Sequence, residues 1–514
     1  MIADGREGVT SGTLPVSGGF GITIHPMGDL DGDGAYDISV GDRQDDDAGS
    51  DAGAVYILFL NPGSEEDAVK SFLKILPTTG GLNGVAPTGG VMSNGVLIGD
   101  LNYDGRDEIA FTFTIDNSII VARLGAIFPS PSPSPSPSPS PAALGQILAA
   151  GTIPSGVGHP LASEYDTEDE FGRALAVIGD LDEDGVVDLA VGANLATTAS
   201  GARAGRVFVL FMTRAGTVRE YNKIAASEGG FVGGTFEAFG TGLGSFPTGR
   251  AHADEPDVPR LLVGDILLNP GSLPLSGGVH ALRLNTSGWV TSQVLWADGR
   301  GGLPNGLLNV DDQLGRGIAS LEDMNGDGLS DVALGAQSDD DGGNNRGAVY
   351  VLYLAANDTV LGYDKFSQSN GLGSMHIGVS SMGYTMGVMP SLDYGGVQDL
   401  LVGAARSGMG GTERGALVIL RLGEGLNGTA ELRGHVVLGN GVGGILDGEF
   451  SNNDAFGIAA AFVGDVDDSG YPNILVGCEG CGGNDGAMYL IGLRRSDYQA
   501  MSITRLSRSS NVVL

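Results

Sequence analysis

Apolar residues in this chain come in short runs of about five to eight, separated by stretches rich in glycine and aspartate, and no long window carries the 3.6-residue period of an amphipathic helix. One series of runs reads LAVGA from Leu189, VALGA from Val332 and LLVGA from Leu400. A second is headed by glycine: GAVYILFL from Gly53, GRVFVLFM from Gly205, GAVYVLYL from Gly347, GALVILRL from Gly415 and GAMYLIGL from Gly486. These runs are apolar at consecutive positions, as a strand covered on both faces requires. Weaker, more polar runs follow them, SFLKIL, VREYNKIA, VTSQVLWA and AMSITRLS. The fold class expected is all-β.

The runs recur as a unit of about 60 to 85 residues, repeated seven times. Six of the seven units open on Phe-Gly or an apolar-Gly equivalent: Phe20-Gly21, Phe171-Gly172, Phe239-Gly240, Leu314-Gly315, Ile377-Gly378 and Phe456-Gly457. Four short strands per unit with turn residues between them predict a seven-bladed β-propeller of four-stranded antiparallel blades over residues 20–493. Residues 1–19 form an N-terminal segment. The tail, 494–514, is expected to supply the last blade's outer strand, although the segment before Phe20 could take that place.

Between the first and second strands lies an acidic nonapeptide: DLDGDGAYD (Asp29, Asp31, Asp33, Asp37), DLNYDGRDE (Asp100, Asn102, Asp104, Glu108), DLDEDGVVD (Asp180, Asp182, Asp184, Asp188) and DMNGDGLSD (Asp323, Asn325, Asp327, Asp331). Oxygen donors at positions 1, 3 and 5, glycine at 6 and a carboxylate at 9 describe a cage for a hard cation, and calcium fits best. Without an ion, several carboxylates at such spacing repel one another. An EF-hand closes at position 12 between helices; this loop closes at 9 between strands. A fifth copy, DVDDSGYPN, with Asp465, Asp467, Ser469 and Asn473, has two carboxylates among these four and is expected to be weak or empty. About four calcium ions, with a fifth in doubt, are expected.

These elements resemble the FG-GAP repeats of integrin alpha subunits. The resemblance implies a seven-bladed propeller with calcium in the hairpins between first and second strands and, more distantly, adhesion. The chain departs from that pattern by placing its cages in units 1, 2, 3, 5 and 7 rather than in consecutive blades.

Composition narrows the partners. Glycine accounts for 89 of 514 residues, more than twice the roughly 7% of average usage, without a collagen period. The formal charge of −35 argues against nucleic acid and anionic membrane surfaces. No run of 18 apolar residues suggests direct membrane insertion. Unit 2 carries an alternating Ser-Pro run, residues 129–141, readable as an inert extended spacer or as a glycan carrier resembling those of plant and green-algal matrix glycoproteins. Sequons at Asn285, Asn357 and Asn427 all follow a third strand. Together they favour an extracellular or cell-surface protein, and the lack of a signal peptide at the start then implies a fragment or an incomplete start. Cys478 and Cys481 are expected to form a local disulfide or remain as two thiols, since a zinc site would need two further ligands.

Six scattered histidines and the absence of any nucleophile elbow or phosphate loop lead to the expectation of a non-catalytic protein. It is read as a calcium-stabilised adhesion or binding propeller; the alternative is a carbohydrate-binding or polysaccharide-active one. Cages, sequons and the Ser-Pro run fall in turns that emerge on one side of a propeller. A protein or matrix ligand, with glycans as a further class, is therefore assigned to the opposite face, where the loops 42–52 and 337–346 carry Asp45 to Asp47 and Asp339 to Asp341.

Overall fold

The computed structural model describes residues 19–513 apart from 63–68, 77–91, 104–106, 114–117, 125–146, 154–160, 162–163, 165–168, 198–202, 233–236, 247–258, 272, 374–377, 394–395, 426–428, 467–468 and 507–511. Blade 1 consists of β1 (Phe20–Pro26), β2 (Ile38–Asp42), β3 (Ala54–Leu60) and β4 (Val69–Ile75), and blade 2 of β5 (Met92–Gly99), β6 (Glu108–Phe113), β7 (Ser118–Leu124) and β8 (Ile147–Ile153). Blade 3 follows with β9 (Phe171–Gly179), β10 (Asp188–Ala193), β11 (Arg206–Met212) and β12 (Val218–Ile224), then blade 4 with β13 (Phe239–Phe246), β14 (Arg260–Asp265), β15 (Gly278–Leu284) and β16 (Val290–Trp296). Blade 5 holds β17 (Leu314–Ser320), β18 (Val332–Ala336), β19 (Ala348–Leu354) and β20 (Val360–Phe366); blade 6 holds β21 (Met386–Met389), β22 (Asp399–Gly403), β23 (Ala416–Glu424) and β24 (Ala430–Gly439). Blade 7 comprises β25 (Phe456–Gly464), β26 (Asn473–Cys478), β27 (Ala487–Leu493) and β28 (Ala500–Leu506), extended by the short β29 (Val512–Val513). Each blade is an antiparallel sheet in sequence order, so the seven-bladed, all-β expectation holds.

The core is divided into seven apolar layers, one between each pair of neighbouring blades. In β3, Tyr56, Leu58 and Leu60 pack toward blade 7 while Val55, Ile57 and Phe59 pack toward blade 2. Both faces of the strand are therefore covered, which is why the sequence shows a continuous apolar run there instead of an alternation. The fourth strands are half-exposed and correspondingly more polar. The first strands touch in a closed ring, β1 against both β5 and β25. Blade 7 takes its outer strand β28 from the tail, as expected, and Phe20 bridges to Gly486 across the junction of the two chain ends.

The glycines of the repeat meet one another. A Cβ on the strand-2 glycines Gly192, Gly264, Gly335, Gly403 or Gly477 would strike the carbonyl of Gly240, Gly315, Gly383, Gly457 or Gly21 in the next blade. The same holds for the glycine heading strand 3: Gly205 lies against Phe239, Gly347 against Met382 and Gly415 against Phe456. This register corrects the sixth unit. Its Phe-Gly equivalent is Met382-Gly383, not Ile377-Gly378, because Gly347 bridges to Met382 and Gly335 packs on Gly383.

Candidate metal centres

In blades 1, 3 and 5 the acidic hairpins share one internal geometry. Position 1 folds the loop around itself: Asp29 accepts from the backbone N–H groups of Gly32 (2.5 Å), Asp33 (3.0 Å) and Gly34 (2.9 Å). Asp323 does the same with Gly326, Asp327 and Gly328, and Asp180 with Asp184 and Gly185. Position 5 accepts from the N–H of position 7, Asp33 from Ala35, Asp184 from Val186 and Asp327 from Leu329. One oxygen from each of Asp29, Asp31 and Asp33 lies within 4.8 Å of the others, and so do oxygens of Asp180, Asp182 and Asp188. Such an all-oxygen donor set, converging on one point and held by backbone donors, suits a hard divalent cation.

Position 9 has a second task that the ligand reading does not include. Asp37 is fully buried and accepts from Leu30 N–H (2.7 Å) and from Leu60 N–H at the end of β3 (3.0 Å). Asp188 bonds Leu181 and Met212, and Asp331 bonds Met324 and Leu354, in the same way. Glu108 accepts from Leu101, and Asn473 from Val466. Blade 6, which has no cage, retains the anchor: Asp399 accepts from Leu422. In blades 1, 3, 5 and 6 the ninth residue thus bonds the third strand, in blade 6 without a cage beside it. Burial pushes Asp37, Asp188 and Asp331 up to about 7, against the pull of their two backbone donors.

A cationic side chain enters two of the cages. Lys70 Nζ, on β4, lies 2.7 Å from Asp31 Oδ2 and 3.0 Å from Asp33 Oδ2. Arg219, at the same place on β12, pairs with Asp182 and Asp184. In blade 5 the corresponding residue is Leu361, whose side chain is 69% exposed. The sequence carried this signal in register, as Val-Lys, Val-Arg and Val-Leu at the start of the fourth strands. In blade 6, Arg421 and Arg433 pair with the lone hairpin carboxylate Asp393. Of the remaining sites, Asp100 and Asn102 are described and Asn102 donates to Glu108 (2.6 Å), whereas Asp104 lies outside the described residues. In blade 7, Asp465 accepts from Gly470 and Ser469 from Tyr471; Asp467 lies outside the described residues.

The opposite face differs from its sequence reading. Asp45 and Asp339 are not surface acids: both are fully buried, accept from the hydroxyls of Tyr56 (3.0 Å) and Tyr350 (2.9 Å), and pair with Lys74 (2.6 Å) and Lys365 (2.9 Å). Each lysine also pairs with the acid two residues on, Asp47 or Asp341. Asp46 and Asp340 cap their own loops at Asp51 and Asn345. These acids hold the loop to the blade, and an aromatic-lysine pattern shared by units 1 and 5 would have revealed it. Cys478 and Cys481 form a disulfide. Asn285 and Asn357 are exposed in turns between third and fourth strands; Asn427 and the Ser-Pro run 129–141 lie outside the described residues.

No helix among the described residues is long and apolar enough to cross a membrane. The family model described as FG-GAP repeat matches residues 171–210 and 314–352, which run from the start of the first strand into the third in blades 3 and 5. No curated protein matches the chain.

Proposed function

Because the chain is a seven-bladed β-propeller carrying FG-GAP repeats, consistent with the integrin alpha-subunit kind, we propose that it is a calcium-stabilised, non-catalytic binding protein of the cell surface or extracellular matrix. The observation that carries this reading is the repetition of one oxygen cage, with the same backbone bonds, in blades 1, 3 and 5. Asp29, Asp31 and Asp33, Asp180, Asp182 and Asp184, and Asp323, Asn325 and Asp327 would hold the ions, and blade 2 a fourth. A non-catalytic role is supported by the buried carboxylates: Asp37, Asp188, Asp331 and Asp265 each receive two backbone N–H groups and are occupied in structure.

The ion's part is to neutralise the cage and close the hairpin, leaving the other face to a partner. Binding to the folded state alone stabilises by RT ln(1 + [L]/Kd), several kcal/mol over filled sites. Thermal melting with excess EDTA and with millimolar calcium tests it. Chelation should lower the midpoint by about ten degrees or more, reversibly on calcium addition. An unchanged midpoint, together with no terbium luminescence from the protein, would overturn the metal reading.

A further inference from the structure

On the face opposite the hairpins, Asp45, Asp47, Asp339 and Asp341 are paired with lysines of their own blades, whereas, among the described residues, several arginines there have no acid partner. The first strands form the inner ring of the propeller. In blades 3 and 5 the third residue of that strand is arginine, Arg173 and Arg316. Tyr384 follows Gly383 at the equivalent place in blade 6, and Arg406 stands in the loop after β22. Arg316 donates to the Tyr384 hydroxyl (2.7 Å) and lies over its ring, 4.1 Å from Cζ to the centroid; Arg406 approaches the same ring at 5.9 Å.

Arg173 holds in β9 of blade 3 the place that Arg316 holds in β17 of blade 5, and its charge bears on Arg316. Burial first, then the charges of Arg173 and Arg406, depress the Arg316 guanidinium below its ordinary value. Among the described residues no carboxylate forms an ion pair with any of the three arginines, and Arg316 Nε is buried without an acceptor. In a molecule of formal charge −35, two arginines at one tyrosine, with the charge of a third bearing on them and no acid paired with any, are a costly arrangement. A carboxylate seated there would receive charge-assisted, bidentate bonds from planar donors.

We propose that the cluster of Arg316, Arg406 and Tyr384, at the inner strands of blades 5 and 6 on the face opposite the hairpins, binds a single acidic side chain of a protein partner. A polyanionic chain is disfavoured, because away from this spot it would meet the negative field of the whole molecule. The site deepens the binding reading given above and rests on it for the nature of the partner, but it uses no residue of the calcium cages.

Calorimetric titration at low salt, in saturating calcium, with a capped Gly-Asp-Gly peptide against its Gly-Asn-Gly counterpart tests the site. The aspartyl peptide should bind at least fivefold more tightly. That preference should vanish in Arg316→Gln and in the double variant Arg173→Gln/Arg406→Gln, whose exposed side chains can be replaced without disturbing the fold. Terbium stoichiometry, measured on the same variants, should stay at the wild-type value, so that failure of the metal reading and failure of this one register separately. Equal binding of the two peptides, an undiminished preference in both variants, or tighter binding of polyglucuronate than of the peptide would each overturn the proposal.

Discussion

At the ninth position of the acidic hairpin one aspartate answers to two demands, and substitutions can separate them. Asp37→Ala leaves the buried N–H of Leu60 without its acceptor, at about 1–3 kcal/mol, and the part-buried N–H of Leu30 as well, at less. It should destabilise the protein in urea with calcium chelated. Asp33→Ala removes a partly exposed cage carboxylate that accepts from Ala35 N–H and pairs with Lys70. It should cost less than Asp37→Ala in EDTA, because it also relieves the repulsion among the cage carboxylates, yet delete one terbium site. Equal losses in EDTA would mean that position 9 has no anchoring role. The strand-4 cation gives a second residue-scale prediction. Lys70→Gln frees the outer oxygens of Asp31 and Asp33, so one terbium site should tighten by roughly fivefold, about 1 kcal/mol. Leu361→Lys, which installs the cation in blade 5, should weaken one site by a similar factor. Luminescence titrations insensitive to both changes would show that these side chains do not compete with the ion.

At the scale of elements, the junction between blades is where backbone meets backbone. Gly205 has φ +76° and would place a Cβ against the carbonyl of Phe239 in the next blade. Gly205→Ala should therefore cost roughly 3 kcal/mol or more, overpacking added to left-handed strain. Gly362→Ala, on half-exposed β20 with nothing closer than 3.6 Å, should be neutral or slightly stabilising. Comparable losses at both positions in chemical denaturation would remove the argument for a glycine seam. Blades 6 and 7 are also joined by Tyr498, whose hydroxyl bonds Asp399 (2.5 Å) and accepts from Leu392 N–H (2.7 Å). Burial pushes Asp399 up to about 6, with Asp393 adding to the rise, while the Tyr498 hydroxyl and Leu422 N–H oppose it. The folded protein therefore holds a proton that the unfolded chain releases, and stability falls as pH rises from about 4 through about 6. Relative to Asp399→Asn, the wild type should lose up to roughly 3 kcal/mol between pH 4 and pH 7 in urea melts, at about 1.36 kcal/mol per unit. Parallel pH profiles for the two proteins would contradict this.

Over the whole molecule, the residue pattern already determined the number of blades, their four strands and the places of the hairpins. The physical reason is that these follow from local rules. A strand covered on both faces must be apolar at every position, and a turn with left-handed residues must be rich in glycine and aspartate. The tail's contribution of β28 was legible for the same reason, since AMSITRLS has the pattern of every other fourth strand. What only the tertiary structure decided are matters between segments far apart in sequence. Ile377-Gly378 looks as suitable a blade start as Met382-Gly383 until Gly347 of the preceding blade packs on Met382. Asp45 reads as a solvated acid until Lys74, 29 residues later, and Tyr56 close over it. Lys70 reaches Asp31 from 39 residues away, and Arg316 meets Tyr384 only because the ring sets blade 5 beside blade 6. A sequence displays the chemistry of each position and its local period; which charges neutralise one another depends on distances that exist only once the ring has closed.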